Sequence, residues 1–128
     1  MIDHAGINVS NLALSKQFYK SALAPLGYLI RLELESTVGY GTKNPNPGDD
    51  PDGDFWISKG DPFVPRSHIA FHASSRDQVV AFYEAALAAG ARDNGAPGLC
   101  PEYHKSYFAA FVFDPDGYNI EAVFHGAY

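Results

Sequence analysis

Apolar and polar positions alternate with a period of two in "IDHAGINV" (2–9) and again in "SHIAFHA" (67–73), the pattern of a strand with one covered face. Each stretch then gives way to helical spacing, with Leu14, Phe18 and Ala22 in the first case and Val79, Phe82 and Ala86 in the second. Ser75 followed three residues later by Gln78 reads as a capping box, and Gly27 and Gly90 stand where a helix should stop. After the first helix, "YLIRLELES", "VGYGT" and "DFWIS" read as strands. After the second, "YFAAFVF" and "YNIEAVF" do, joined by the turn "DPDG". "NPNPGDDPDGD" (44–54) is a loop between strands and "KGDPFVPR" (59–66) a linker. Between the second helix and "YFAAFVF" the pattern shows no clear strand.

The two halves repeat. His4 falls on His68, Ser10 on Ser74, Phe18 and Tyr19 on Phe82 and Tyr83, and Ala22 and Leu23 on Ala86 and Leu87, at one offset (68 minus 4 is 64) without a gap. The chain is therefore read as two βαβββ modules in one domain spanning 1–128, the first about 1–60 and the second about 67–125, an α+β architecture.

Composition narrows the partners. In 128 residues, 46% hydrophobic content supplies a core for one domain, and a formal charge of -6 argues against nucleic acid or an anionic membrane. No apolar run approaches the ~20 residues of a membrane span, and "MIDHAGINVS" does not read as a signal peptide, so the expected location is cytoplasmic. The single Cys100 has no partner for an intrachain disulfide, has no base beside it in sequence, and is expected to be inert.

Residues two apart in a strand share a face. His4 groups with Gly6 and Asn8, His68 with Ala70 and His72, and Glu121 with Asn119 and Val123, each opposite the apolar positions that helices would cover. Taken singly, each histidine reads as a surface or core residue and the glutamate as a solvated edge charge. Together they place two imidazoles and a carboxylate on an uncovered face. That donor set suits a divalent ion such as Fe, Mn, Ni or Zn, with positions left for water or substrate oxygens.

Paired modules with His at each first strand and "DPDGYNIE" at the last resemble the vicinal oxygen chelate superfamily, which includes glyoxalase I, bleomycin resistance proteins, fosfomycin resistance thiol transferases and extradiol dioxygenases. The likeness runs from His4 to Phe124. It implies a curled mixed sheet around a concave metal cup with helices on the outer face, and metal ligands His4, His68 and Glu121. It also implies a small-molecule substrate chelated through adjacent oxygens and a homodimer, the cup lying within one chain or across two. Gly27 and Gly90 align Glu121 with Ser58, where glyoxalase I has a second acidic ligand. The dioxygenases' tyrosine before the glutamate is replaced by Phe111 and Phe113, with Tyr107 the nearest substitute.

Around this trio, His72, His104 and Tyr107 are candidate acid or base groups, and Trp56, Ser58 and Tyr103 candidate pocket walls. Tyr19 and Tyr83 read as helix packing, and His125, near a strand end, receives no role. Three functions fit: a metal-dependent enzyme performing isomerisation, ring cleavage or thiol addition, a metal-free binding protein of the bleomycin resistance type, and a structural dimerisation domain.

Overall fold

Asn11 and Ser75 start the two helices by accepting the backbone N–H groups of Leu14 and Gln78, both at 3.1 Å. Gln78 answers by accepting Ser74 N–H at 2.8 Å, one residue before the expected capping-box partner. In the computed structural model, which describes residues 1–126, the elements are β1 (Ala5–Val9), α1 (Leu12–Leu23), β2 (Tyr28–Glu33), β3 (Thr37–Thr42) and β4 (Phe55–Lys59). They repeat as β5 (His68–His72), α2 (Arg76–Ala88), β6 (Arg92–Leu99), β7 (Phe108–Phe113) and β8 (Asn119–Phe124). A short 3₁₀ turn over Ala24–Leu26 extends α1, and Gly27, at φ 83°, ends it.

Each module folds into a four-stranded sheet, ordered β1-β4-β3-β2 and β5-β8-β7-β6. The first and last strands of each module pair in parallel, and the remaining neighbours are antiparallel. The strand the pattern did not reveal is β6, whose sequence "RDNGAPGL" breaks its ladder with two register shifts, at Asp93/Gly95 and Gly95/Gly98.

One core serves both modules. The helices pack against each other and each against its own sheet. The buried set joins Ile7, Val9, Tyr40 and Ile57 of the first sheet to Phe71, Val112, Ile120 and Ala122 of the second. Phe55 and Phe71 meet edge to face across the modules at 5.1 Å. On α1 the inward row is Ser15, Phe18, Tyr19 and Ala22, while Leu14, expected inside, is 53% exposed because it lies about 100° around the helix from Ser15, off that row.

The modules are also clasped by polar groups. The Tyr19 hydroxyl, in the core, donates to Asp114, whose other oxygen accepts the backbone N–H groups of Asp116 and Tyr118 at 2.9 Å each. Ser10 donates its backbone N–H and its hydroxyl to Asp116 at 3.0 and 2.5 Å. The Tyr118 hydroxyl donates to the Asn8 carbonyl at 2.6 Å. Thus the "DPDG" turn holds β7 to β8 and also fastens module 2 to β1 and α1.

Burial raises the Asp114 carboxyl above its ordinary range, opposed by the donors from Tyr19, Tyr118 and Asp116. The folded chain then holds this proton more tightly than the unfolded chain, so the group's contribution is largest in acid and declines as pH rises from about 4 through the raised value. Asp114→Asn, uncharged throughout, should flatten that part of the stability–pH profile. Asp114→Ala, which orphans Tyr19 and two N–H groups, should lower the unfolding free energy by about 2–4 kcal/mol. Urea melts between pH 4 and 7 measure both.

Candidate metal centre

Both faces of each sheet cannot be covered by one helix layer. Ile7, Val9, Phe71 and Ala73 go to the core, and the opposite residues of β1 and β5, Gly6, His68, Ala70 and His72, are exposed as their parity requires. Ladder register maps the open face of the second sheet. One row runs His68, Asn119, Phe113 and Arg92; the next runs Ala70, Glu121, Phe111 and Gly95.

Glu121 is 2% exposed, yet it lies on this face. His68 Nε2 lies 2.9 Å from its Oε1, and the Tyr107 hydroxyl donates to its Oε2 at 2.5 Å. Burial, followed by the hydrogen bond and charge of Glu121, pushes the Tyr107 phenol well above its ordinary range, so Tyr107 is a fixed donor and not a base.

The histidine tautomers follow from their oxygen partners. His68 Nδ1 lies 3.0 Å from the Asn119 carbonyl, which only accepts, so Nδ1 carries the hydrogen. A neutral His68 then presents a lone pair at Nε2 to a carboxylate oxygen, and that contact calls for a cation between them, a proton or a metal ion. His4 is arranged alike, its Nδ1 2.7 Å from the Asp3 carboxylate, which leaves the lone pair of a neutral ring at Nε2. Metal-bound histidines are commonly oriented in this way, the second nitrogen donating to a carboxylate or carbonyl. The donor set therefore fits a borderline divalent ion.

The structure brings together His68, Glu121 and Tyr107 but does not add His4 to them. His4 precedes β1 and is exposed; it borders, with Asp54, Phe55 and the residues of β5, a cleft of about 380 Å³ that His68 also lines. Among the described residues no group of three or more His, Cys, Asp or Glu side chains is placed to hold a metal.

At the other end of this face, Tyr103 packs on Tyr107 at 4.7 Å, and His104 meets Tyr107 edge on at 5.3 Å. The Ser106 N–H donates to His104 Nδ1 at 3.2 Å, which leaves His104 Nε2 to donate to His125 Nδ1 at 3.0 Å. His72 is exposed, 6.2 Å ring to ring from His125. His125 thus belongs to the polar end of the site, although sequence reasoning gave it no role. The signal was present: it lies four residues beyond Glu121, with the same parity. Cys100 is half-buried, and burial followed by Glu102 and Glu121 raises its thiol, in keeping with an inert cysteine.

Trp56 and Ser58 lie on the open face of the first sheet. The indole crosses Gly39, where a Cβ would come within 2.8 Å of the ring, and the Ser58 hydroxyl is 3.1 Å from that of Thr37. The ladders correct the equivalence drawn from the glycines. Gly6 pairs with Trp56 and Gly39 with Trp56, just as Ala70 pairs with Glu121 and Phe111 with Glu121. Trp56, not Ser58, is the counterpart of Glu121. Counting from Gly27 and Gly90 failed because the modules differ in length between helix and last strand.

Paired βαβββ modules with an open, histidine- and carboxylate-bearing face define the class. The family model described as the Glyoxalase/Bleomycin resistance protein/Dioxygenase superfamily matches residues 38–122, and the chain belongs to that superfamily. Among solved structures it is similar to a glyoxalase/bleomycin resistance protein from Albidiferax ferrireducens T118, with 26% identity, 95% of this chain and 96% of that one covered, and a TM-score of 0.76. It shares its fold with a glyoxalase-related enzyme from Fulvimarina pelagi (18% identity, 97% and 87% covered, TM-score 0.70). The same holds for a lactoylglutathione lyase from Agrobacterium tumefaciens (14%, 97% and 92%, 0.67). Among curated proteins, none matches the chain.

Tyr107→Phe removes the only side-chain donor to Glu121 Oε2 among the described residues, leaving a buried carboxylate oxygen unpaired. It should cost about 1–3 kcal/mol of stability in a urea titration at neutral pH.

Proposed function

We propose that the protein is a metal-dependent enzyme acting on a small substrate with two adjacent oxygens, the divalent ion being held by His68 and Glu121 of one chain and His4 of a second copy. The observation that carries this reading is the matched arrangement of the two histidines, each with Nδ1 held by an oxygen and Nε2 left to ligate. Within one chain His4 borders the cleft that His68 lines but does not join the His68–Glu121 pair, which leaves the third ligand to a second copy. A two-fold dimer closes the cup.

When bound, the ion supplies Lewis acidity to chelated substrate oxygens. The Tyr107 phenol fixes the free oxygen of Glu121, keeping the carboxylate in one pose. His104, His125 and His72 line the far end of the face, where a proton could be taken up or delivered beside the substrate. A metal-free binding protein is the second reading, favoured by the lack of a complete ligand set within the described residues of one chain. No helix of the described residues is long and apolar enough to cross a membrane.

Metal analysis of protein purified without chelator should return about one divalent ion per chain, and His4→Ala, His68→Ala and Glu121→Gln should each lose it. Ligand removal should weaken binding by more than the roughly 10–100-fold that outer partners cost. Full occupancy in all three variants would refute the metal site. Mixing His4→Ala with Glu121→Ala chains should restore about a quarter of the sites, one in each mixed dimer; no recovery would place the whole cup within a chain.

Trp56 stands where a second carboxylate would stand, and an indole cannot ligate or take up a proton as that group does. Isomerisation of the glutathione hemithioacetal of methylglyoxal should therefore be slow or absent, and Trp56→Glu should tighten metal binding. Efficient turnover by the unaltered protein would show this view of the fourth position to be wrong.

A further inference from the structure

Two rings extend the open face of the second sheet away from Glu121. Phe111 pairs with Glu121 across β7 and β8, and His68 stacks on it at 6.3 Å and 28°. Phe113, one row along, pairs with Asn119 on one side and Arg92 on the other. Neither ring is in the core, for Ala110 and Val112 take those positions. Gly95 opens the edge beside Phe111, since a Cβ there would meet the ring at 3.0 Å. The result is a flat apolar shelf beginning at the His68–Glu121 pair.

The shelf ends at a cation. The Arg92 guanidinium lies over the Phe113 ring, 5.2 Å from its centroid. Stacking of this kind fixes the fork while leaving its N–H edges available. Among the described residues no carboxylate forms an ion pair with Arg92 and no hydrogen bond engages its guanidinium, whereas Arg31 and Arg66 are bound to backbone carbonyls. Two strand spacings and one two-residue step separate Glu121 from Arg92, roughly 12 Å between Cα atoms. The guanidinium reaches back over Phe113, which shortens that span at the ligand's level.

We propose that the substrate is an anionic molecule with an aromatic or other flat apolar body: its adjacent oxygens meet the His68–Glu121 end, its body packs against the parts of Phe111 and Phe113 that His68 and Arg92 leave exposed, and a carboxylate is held by Arg92. The placement of the oxygens rests on the metal reading above, whereas the shelf and the Arg92 contact stand apart from it. Arg92 acts as a specificity-determining residue, since a fork of donors selects a carboxylate over its neutral amide.

The test uses 4-(3,4-dihydroxyphenyl)butyrate, which carries two adjacent oxygens, a ring and a carboxylate, and its primary amide. Both are titrated calorimetrically into the zinc-loaded and the chelator-treated protein. The acid should bind at least about tenfold more tightly than the amide, the scale of one charge-assisted hydrogen bond. Arg92→Gln should bring the ratio to within about twofold while the amide still binds, which also shows that the variant is folded. Without zinc both ligands should weaken in step and the ratio persist. An Arg92-dependent ratio with no gain from zinc would sustain the shelf and overturn the metal reading. A ratio near one, a ratio undiminished in Arg92→Gln, or no binding of either ligand to the zinc-loaded protein would overturn this proposal.

Discussion

Asp114 carries out three tasks with two oxygens. It closes the β7–β8 turn by accepting two backbone N–H groups, accepts the hydroxyl of Tyr19 on α1, and sits between the modules where solvent does not reach. A buried carboxylate is tolerated only when its lone pairs are met, and here donors come from both halves of the chain. Neither module can satisfy it alone. The pairing of β7 with β8, which sets Glu121 opposite Phe111, is therefore tied to the docking of α1.

From that docking follows the division of labour between sheet faces. A shared core takes the apolar alternate residues of both sheets and leaves the other alternates uncovered. Uncovered positions are where side chains need not match a neighbour's shape, and there the two modules differ in chemical type, as Trp56 and Glu121 do. The first sheet carries an indole over a glycine and the Ser58–Thr37 hydroxyl pair. The second carries His68, Glu121, Tyr107 and the shelf leading to Arg92.

Much of this was legible in the residues, for identifiable reasons. The repeat and period-two alternation located both histidines, Glu121 and the covered faces, because parity is a local property of a strand. The partners of Glu121 depend on register and loop closure, which alternation does not encode. Tyr107 reaches Glu121 because the 100–107 loop folds back, with the Cys100 N–H bonded to the Tyr107 carbonyl. β6 escaped notice because glycine, proline and two register shifts erase the period on which detection depends. The mistaken match of Ser58 to Glu121 has the same origin: counting along the chain crosses loops of unequal length, whereas the ladder does not.

Trp56 is the single tryptophan of the chain. Its indole lies on the open face of the first sheet, away from the shared core, with Gly39 beneath it and the Asp52 carbonyl crowding the same spot. All indole emission from the folded protein therefore originates at one wall of the cup. Its wavelength reports how wet that wall is, while the core itself, built on tyrosine and phenylalanine, stays dark in that channel.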